Sequence, residues 1–394
     1  MTHKPDFTLP EVEDFDSPHA LFAELRSHCP VAWTEDLGGF WAVTRHADAC
    51  EVLEDWRRFT TRVQNVVPPV ATTQRRPPLH LDPPDNIPYR SALLRFLTPA
   101  RLATWNARVR DMVDAQLTPL LEKGEGDICA DFSFTLPITL LAEFFNLSPE
   151  AAEEIRTVGA EFNMALQRQD FETLRERSDA LYALAAALIA DRHAHPRAPE
   201  DDPVACLLAV RVQGEPLADD LILGALRQFL LVGIIAPTTF IGSMAVHLAR
   251  HPDHHAELRE DPALVPVALE ELLRLYTPYR GFARTATQDT TIGGCPVHAG
   301  DPVAVVFTAA NRDPEVFPDP ADYRLDRTAR DLLTFGRGAH MCPGAPLARL
   351  LLREVLAQLT ARTWRLEMLG TPEMTRWPEY GPLSVPLRLH GLTG

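Results

Sequence analysis

The six cysteines of this 394-residue chain, Cys29, Cys50, Cys129, Cys206, Cys295 and Cys342, include no CxxC pair. That absence argues against a zinc site or a disulfide framework. Five read as plain thiols, and only Cys342 sits in an unusual setting. Basic residues are also short: 38 against 54 acidic ones leave a formal net charge of −16. This excludes a sequence-independent grip on nucleic acid or anionic lipid, so an acidic partner would need a local basic patch. The opening "MTHKPDFTLPEVEDFDSPHA" has no basic leader followed by an apolar stretch. It does not read as a secretory signal, and a cytoplasmic protein is expected. The most apolar runs, Phe229 to Ala236 and Ala180 to Ala190, fall well short of the roughly 20 residues a membrane span needs. No repeat or linker divides the chain, and 46% hydrophobic content is ample for a large core. One domain over residues 1–394 is the expectation.

Helical periodicity dominates what is present. Apolar residues recur at three- and four-residue spacing over Ser17 to Arg26, Ala47 to Val52, Pro88 to Phe96, Ala107 to Glu122, Pro149 to Ala165, Phe171 to Arg192, Leu217 to Arg250, Pro266 to Tyr276 and Ala345 to Trp364. Strand-like pieces interrupt them: "VAWTE", "GFWAVTR", a hairpin over "TTIGGCPVHAGDPVAVVF", and "LSVPLRLH". The fold class is mainly α with small β-sheets.

The stretch Leu217 to Arg250 would run about 50 Å as a helix, long enough to cross the domain. It is apolar nearly all round in its middle, which places it in the core. Pro237 lies in that middle. Proline has no amide to donate, so the Gly233 carbonyl should lack its helical partner and the helix should open locally. This is either an ordinary kink in a core helix or a groove with a use.

Cys342 lies in "LTFGRGAHMCPGAPLARLLLREVL", between a glycine-rich turn and an amphipathic helix. Free amides and the positive end of the helix dipole favour thiolate there. The residues alone leave three readings open: a buried structural thiol, a nucleophile with His340 as base, or a metal ligand. Gly336, Gly338 and Gly344 let the backbone come close to something flat or bulky.

The segment "FGRGAHMCPG", Phe335 to Gly344, resembles the haem-binding signature of the cytochrome P450 family, Phe-Gly-x-Gly-x-His-x-Cys-x-Gly, at every fixed position. "ELLR" (Glu271, Arg274) is similar to the family's Glu-x-x-Arg pair, "ARTA" to the site of its propionate arginine, "ANRDPEVFPDPADYRLDR" to its meander, and "DPPDNIPYR" to the start of its third major helix. The resemblance covers essentially the whole chain. It implies the family's triangular-prism fold and haem b, iron protoporphyrin IX, as cofactor.

By this resemblance Cys342 is the axial thiolate of the haem iron, with Phe335, Gly336 and Gly344 around it. Arg90, Arg284 and His340 match positions that neutralise the haem propionates. Asn86 stands where the family often has His, so at most a neutral hydrogen bond is expected of it. Glu271 and Arg274 would form a structural network with Arg327 as third member, without part in catalysis.

A departure from the family falls in "LVGIIAPTTF". Where the family usually has an acid followed by an alcohol for proton delivery, this chain has Ala236 and Pro237, and no acid occurs between Leu221 and Pro252. Thr238, Thr239 or water held by the carbonyl that Pro237 frees are the candidates for that task. Fatty-acid peroxygenases are similar at Pro237 but carry Arg where this chain has Ala236. A peroxygenase, or a nitrating or other non-hydroxylating catalyst, is therefore the alternative to a dioxygen-dependent monooxygenase. A haem-binding protein without activity is the non-enzymatic rival.

No flavin- or iron–sulfur-binding segment follows the cysteine helix, so the resemblance implies electrons from a separate ferredoxin and its reductase. Arg90, Arg95, Arg101, Arg349 and Arg353 would form the basic patch that receives it. The substrate pocket should draw on "TTRVQNVVPPVATT" after Phe59, on Phe162 to Leu166, Val232, Ile235, Ala236, Thr239, "PYRGF" with Arg280 and Phe282, and Leu383. Those side chains are mostly apolar and suit a small hydrophobic substrate such as a terpenoid, aromatic or fatty compound. Arg280 is the exception, a candidate carboxylate anchor or a side chain that points outward.

Overall fold

The computed structural model describes residues 5–10, 14–69 and 74–392. Parts of the opening segment and Val70 to Thr73 of the expected pocket loop lie outside them. Helices form the body, and each expected helix is present within a few residues of its expected ends. Their starts follow local chemistry: Ser148 and Asp170 accept hydrogen bonds from the Ala151 and Thr173 amides and cap the helices Pro149–Arg168 and Phe171–Ala194.

Among the described residues, five α-helices were not anticipated: Pro99–Ala103, Thr135–Phe144, Pro203–Ala209, Pro252–Glu260 and Phe307–Ala310. Three are only one or two turns long, too short to show a period. Thr135–Phe144 is apolar on nearly every side, which hides its period as well. The cysteine-loop helix ends at Arg362, not Trp364, because Thr363–Met368 forms a strand against Pro386–Gly391. The expected hairpin is also shorter. Thr290–Ile292 pairs with Cys295–Val297, while Pro302–Val306 leaves to join a different sheet.

That second sheet has five strands in the order Val31–Thr34, Phe40–Val43, Pro302–Val306, Gly281–Ala286 and Phe59–Thr60. Its one parallel pairing sets Val303 opposite Trp41, and the antiparallel pairing on the other side sets Val303 opposite Arg284. The register thus places Arg284 on an inner strand, where its guanidinium is carried into the protein.

The long helix spans Asp219–Arg250 and is unbroken through Pro237. Phe240, Ile241, Met244, Ala245 and Val246 are fully buried against its neighbours. By length and composition it is apolar enough to cross a membrane, although no uninterrupted apolar run within it is that long. In the fold 78% of its most apolar window is covered by protein, so its apolar surface is satisfied inside the core.

Candidate active site

A cavity of about 290 Å³ runs between the long helix and the cysteine loop. The loop is built backward from the sulfur. The Cys342 amide donates to the Phe335 carbonyl at 2.7 Å, and the Gly336 amide to Leu333 at 2.7 Å. Gly338 has φ of +70°, and a Cβ there would lie 2.7 Å from the Leu53 carbonyl oxygen, so no other residue fits that turn. The helix Ala345–Arg362 begins directly after, with the Gly344 and Ala345 amides beside the sulfur. Burial pushes the Cys342 thiol up, opposed by the Gly344 amide, Arg90, the Ala345 amide and Arg349. Phe335 and Gly336 share the wall, with the Arg349 guanidinium 4.4 Å from the Phe335 ring centre.

Three cationic or donor groups meet the same cavity. Arg90 reaches in from the helix Ile87–Leu94 and donates to the Met341 carbonyl at 2.8 Å. Arg284 is buried, and its only hydrogen bond among the described residues goes to its neighbour's carbonyl, Ala283, at 2.8 Å. Burial pushes its pKa down to about 10, against the pull of Asp82. His340 lines the wall too, but its Nε2 lies 3.1 Å from Asp82 Oδ1, with Thr61 Oγ1 at 3.4 Å. Burial pushes His340 down while Asp82 pulls it up. Burial raises Asp82, but hydrogen bonds from His340, Thr60 and the Thr61 amide outweigh that and hold it below its usual range. Asn86 is buried off the wall, and neither of its amide atoms has a partner among the described residues.

On the long helix Val232, Gly233, Ala236 and Pro237 line the cavity, as do Pro278, Tyr279 and Phe282. Other expected pocket residues do not. Ile235 faces the core behind the helix, and Leu383 and Phe162 to Leu166 stand off the wall. Thr238 and Thr239 are also absent from it. Thr238 Oγ1 donates to Ile234 at 2.8 Å and to Ser133 at 3.0 Å, and Thr239 Oγ1 lies 3.3 Å from both the Ile235 and Ala236 carbonyls. Arg280 neither anchors at the wall nor points outward. It is buried, donates to the Thr375 carbonyl at 2.6 Å, and lies beside Glu379.

Residues that the sequence reading missed complete the cavity: Pro78, Leu79, Leu141, Phe144, Phe145, Gln228, Phe229 and Phe240. Gln228 carried a usable signal, as a neutral polar side chain inside an apolar helix.

A sequence profile for the family described as Cytochrome P450 matches residues 162–376. The chain belongs to the cytochrome P450 family. Linalool 8-monooxygenase of Pseudomonas putida is 31% identical over 386 residues, covering 93% of each chain. Erythromycin C-12 hydroxylase of Saccharopolyspora erythraea is 33% identical over 369 residues, covering 91% of each. CYP109Q5 from Chondromyces apiculatus shares the fold with a TM-score of 0.86 at 28% identity, over 96% of this chain and 97% of that one. CYP268A2 of Mycobacterium marinum, solved in complex with pseudoionone, reaches 0.87 at 25% identity over 99% and 100%.

As a P450 the protein is an oxidoreductase whose cofactor is haem b. The residues present fit that group. A thiol beside two amides faces the cavity, the buried Arg284 and half-buried Arg90 guanidiniums suit paired carboxylates, and Asn86 keeps an unpartnered buried amide near the same helix start. Cys342 would hold the iron, and Arg90 and Arg284 the propionates. Bound there, haem supplies the oxidising chemistry.

The Glu271, Arg274 and Arg327 side chains meet where the helix Val265–Leu275 packs on the stretch 319–327, and Arg327 Nε lies 3.2 Å from Glu271 Oε1. The Arg324 amide joins them at 3.0 Å, and Arg274 also donates to the carbonyls of Asn311, Pro320 and Asp322. The expected basic patch is thinner than its sequence suggested. Arg349 makes a two-point pair with Glu270 at 2.6 and 2.9 Å, Arg101 faces Asp201 at 3.9 Å, and Arg90 turns inward.

Proposed function

We propose that the protein is a cytoplasmic haem-thiolate monooxygenase that inserts one oxygen atom of dioxygen into a small hydrophobic substrate. Two electrons and two protons reduce the second atom to water, and the electrons come from a separate ferredoxin system. The apolar wall of the Cys342 cavity carries this reading. Val232, Ala236, Phe229, Phe240 and Phe282 present carbon to the space beside the thiol, which favours exclusion of water and the binding of an apolar body. The relatives named for linalool and erythromycin oxidation agree with it in class. Arg349 and Arg353 border a groove beside the cysteine helix with Leu102, Leu269 and Leu350, where a ferredoxin would dock.

The test is a titration of the purified ferric holoenzyme with neutral terpenoids, aromatics and fatty compounds, followed by their Soret spectra. A high-spin shift and an oxygenated product with ferredoxin and reductase are expected. Loss of the thiolate signature in the CO-bound ferrous spectrum of Cys342→Ala is the companion result. An unchanged spectrum in that variant would overturn the ligand assignment.

One observation favours a second reading. The Thr238 and Thr239 hydroxyls are turned to backbone carbonyls, and Ala236 and Pro237 are what this part of the helix shows the cavity. A peroxide-driven reaction needs no dioxygen protonation relay. Faster product formation with hydrogen peroxide alone than with the ferredoxin system would select it.

A further inference from the structure

Two arginines are buried beside the apolar cavity with no carboxylate against them. Arg227, on the long helix, is 0% exposed, and Arg76, on the loop that crosses this helix, is 5% exposed. Arg227 Nη2 donates to Ser178 Oγ at 3.0 Å, and its guanidinium lies 5.2 Å from the Phe162 ring centre and 5.7 Å from that of Tyr182. Its Nε and Nη1 have no partner among the described residues. Arg76 Nη2 lies 3.2 Å from His80 Nε2, which is 2.6 Å from the Asn65 Oδ1 acceptor, and the Arg76 Nε is likewise without a partner there. Neither arginine forms an ion pair among the described residues, and the neighbouring Val70 to Thr73 carry no charge.

Such an arrangement is electrostatically unfavourable by itself. A guanidinium out of water without a counter-ion is costly, and a second one adds repulsion. Burial first, and then Arg76, push the Arg227 pKa down to about 9, and the only acid opposing them is the Tyr182 phenol. The loop cannot relax away easily, because it is pressed onto the helix at Gly224. A Cβ there would lie 2.0 Å from the Arg75 carbonyl oxygen and 3.4 Å from Arg76 Cα.

The pair sits directly behind the cavity wall and does not line it; their chain neighbours do. Pro78 and Leu79, between Arg76 and His80 in the chain, line the cavity, and so does Gln228, next to Arg227, with Oε1 unpartnered. Along the helix Gln228 precedes Ala236 by eight residues, about 12 Å of rise.

We propose that Arg76 and Arg227 form an oxyanion site that holds the carboxylate of the substrate while its apolar body fills the cavity. This rests on the monooxygenase reading above and narrows its substrate to hydrophobic carboxylic acids. The planar N–H forks of the two side chains match a carboxylate's oxygens, and the anion supplies the missing counter-charge. A free inorganic oxyanion would engage the same donors, so the experiment separates the two.

Calorimetry and ferric spin-state titration of the holoenzyme would compare dodecanoic acid with 1-dodecanol and methyl dodecanoate, with and without inorganic phosphate. The acid is expected to bind about tenfold or more tightly than the alcohol or ester, as one charge-assisted contact implies. That preference should disappear in Arg227→Gln and in Arg76→Gln, whose affinity for the alcohol stays the same. Arg76→Gln lies on a loop and serves if the helix variant fails to fold. Equal binding of acid and alcohol, no binding of the acid, or a preference that survives both substitutions overturns the proposal. So does phosphate stabilising the wild type but neither variant while the acid has no advantage, which would assign the site to a free anion. The CO-bound ferrous spectrum depends on Cys342 and tells failure of the haem-thiolate reading from failure of this one.

Discussion

Arg274 grips Glu271 at two points across one helical turn, Nε to Oε2 at 2.8 Å and Nη2 to Oε1 at 2.7 Å, with both side chains buried. Removing the carboxylate leaves Arg274 and Arg327 without their shared counter-charge. Glu271→Gln should therefore cost about 3–5 kcal/mol of stability and loosen the cysteine loop. Thermal unfolding and retention of haem on gel filtration would measure it. A loss below about 1 kcal/mol, the range of exposed pairs, would show that the network is not the support described.

Thr238 turns its hydroxyl away from the cavity, toward Ser133 and Ile234. Thr238→Val should lower stability by about 1 kcal/mol through the lost hydrogen bonds. The ratio of product formed to electrons consumed should change by less than about twofold, since no contact with the reacting atoms is lost. A large fall in that ratio would restore the threonine as a proton-delivery residue.

Gly224 has no room for a methyl group against the Arg75 carbonyl. Gly224→Ala should displace the loop that carries Pro78 and Leu79 into the cavity. The expected loss is about 1–3 kcal/mol, as for other overpacked sites, together with weaker ligand-induced spin shifts. Wild-type melting and titration curves would sink the account of the loop.

His247 is buried between the Tyr276 hydroxyl, 2.9 Å from Nδ1, and His254 Nδ1, 3.1 Å from Nε2, with the His251 and Tyr323 rings packed alongside. Burial, followed by the charges of His251 and His254, pushes its pKa down to about 2. An unfolded histidine titrates near about 6.5, so between these values the unfolded chain holds a proton that the folded chain does not. Stability is full above the unfolded pKa and falls as the pH drops below it, by up to about 1.4 kcal/mol per unit from this group. Urea unfolding at pH 7.5 and pH 5 should show a smaller acid loss for His247→Gln than for the wild type. Identical losses would mean that His247 does not titrate on unfolding.

What is legible in the chain is what lies close together along it. The cysteine loop, the Glu271–Arg274 pair and the long helix are each set by contiguous residues, and local geometry suffices to place them. Asp82 and His340 meet across 258 residues, and Gln228 joins Pro78 only because a loop crosses a helix. No periodicity announces such meetings. Ile235 illustrates the same limit: it is as apolar as Val232, and only the position of neighbouring helices decides which of them faces the cavity.

The amino-acid sequence by itself determined the cysteine loop, the mainly helical class and the lack of any acid between Leu221 and Pro252, because identity and short-range spacing decide those. Tertiary packing decided the directions. It turned Arg280 to Thr375 and Thr238 to Ser133, away from the cavity, and it buried Arg76 with Arg227. A side chain's partners are selected by whatever the fold brings within about 3 Å of it, and in this protein those partners lie mostly on distant segments.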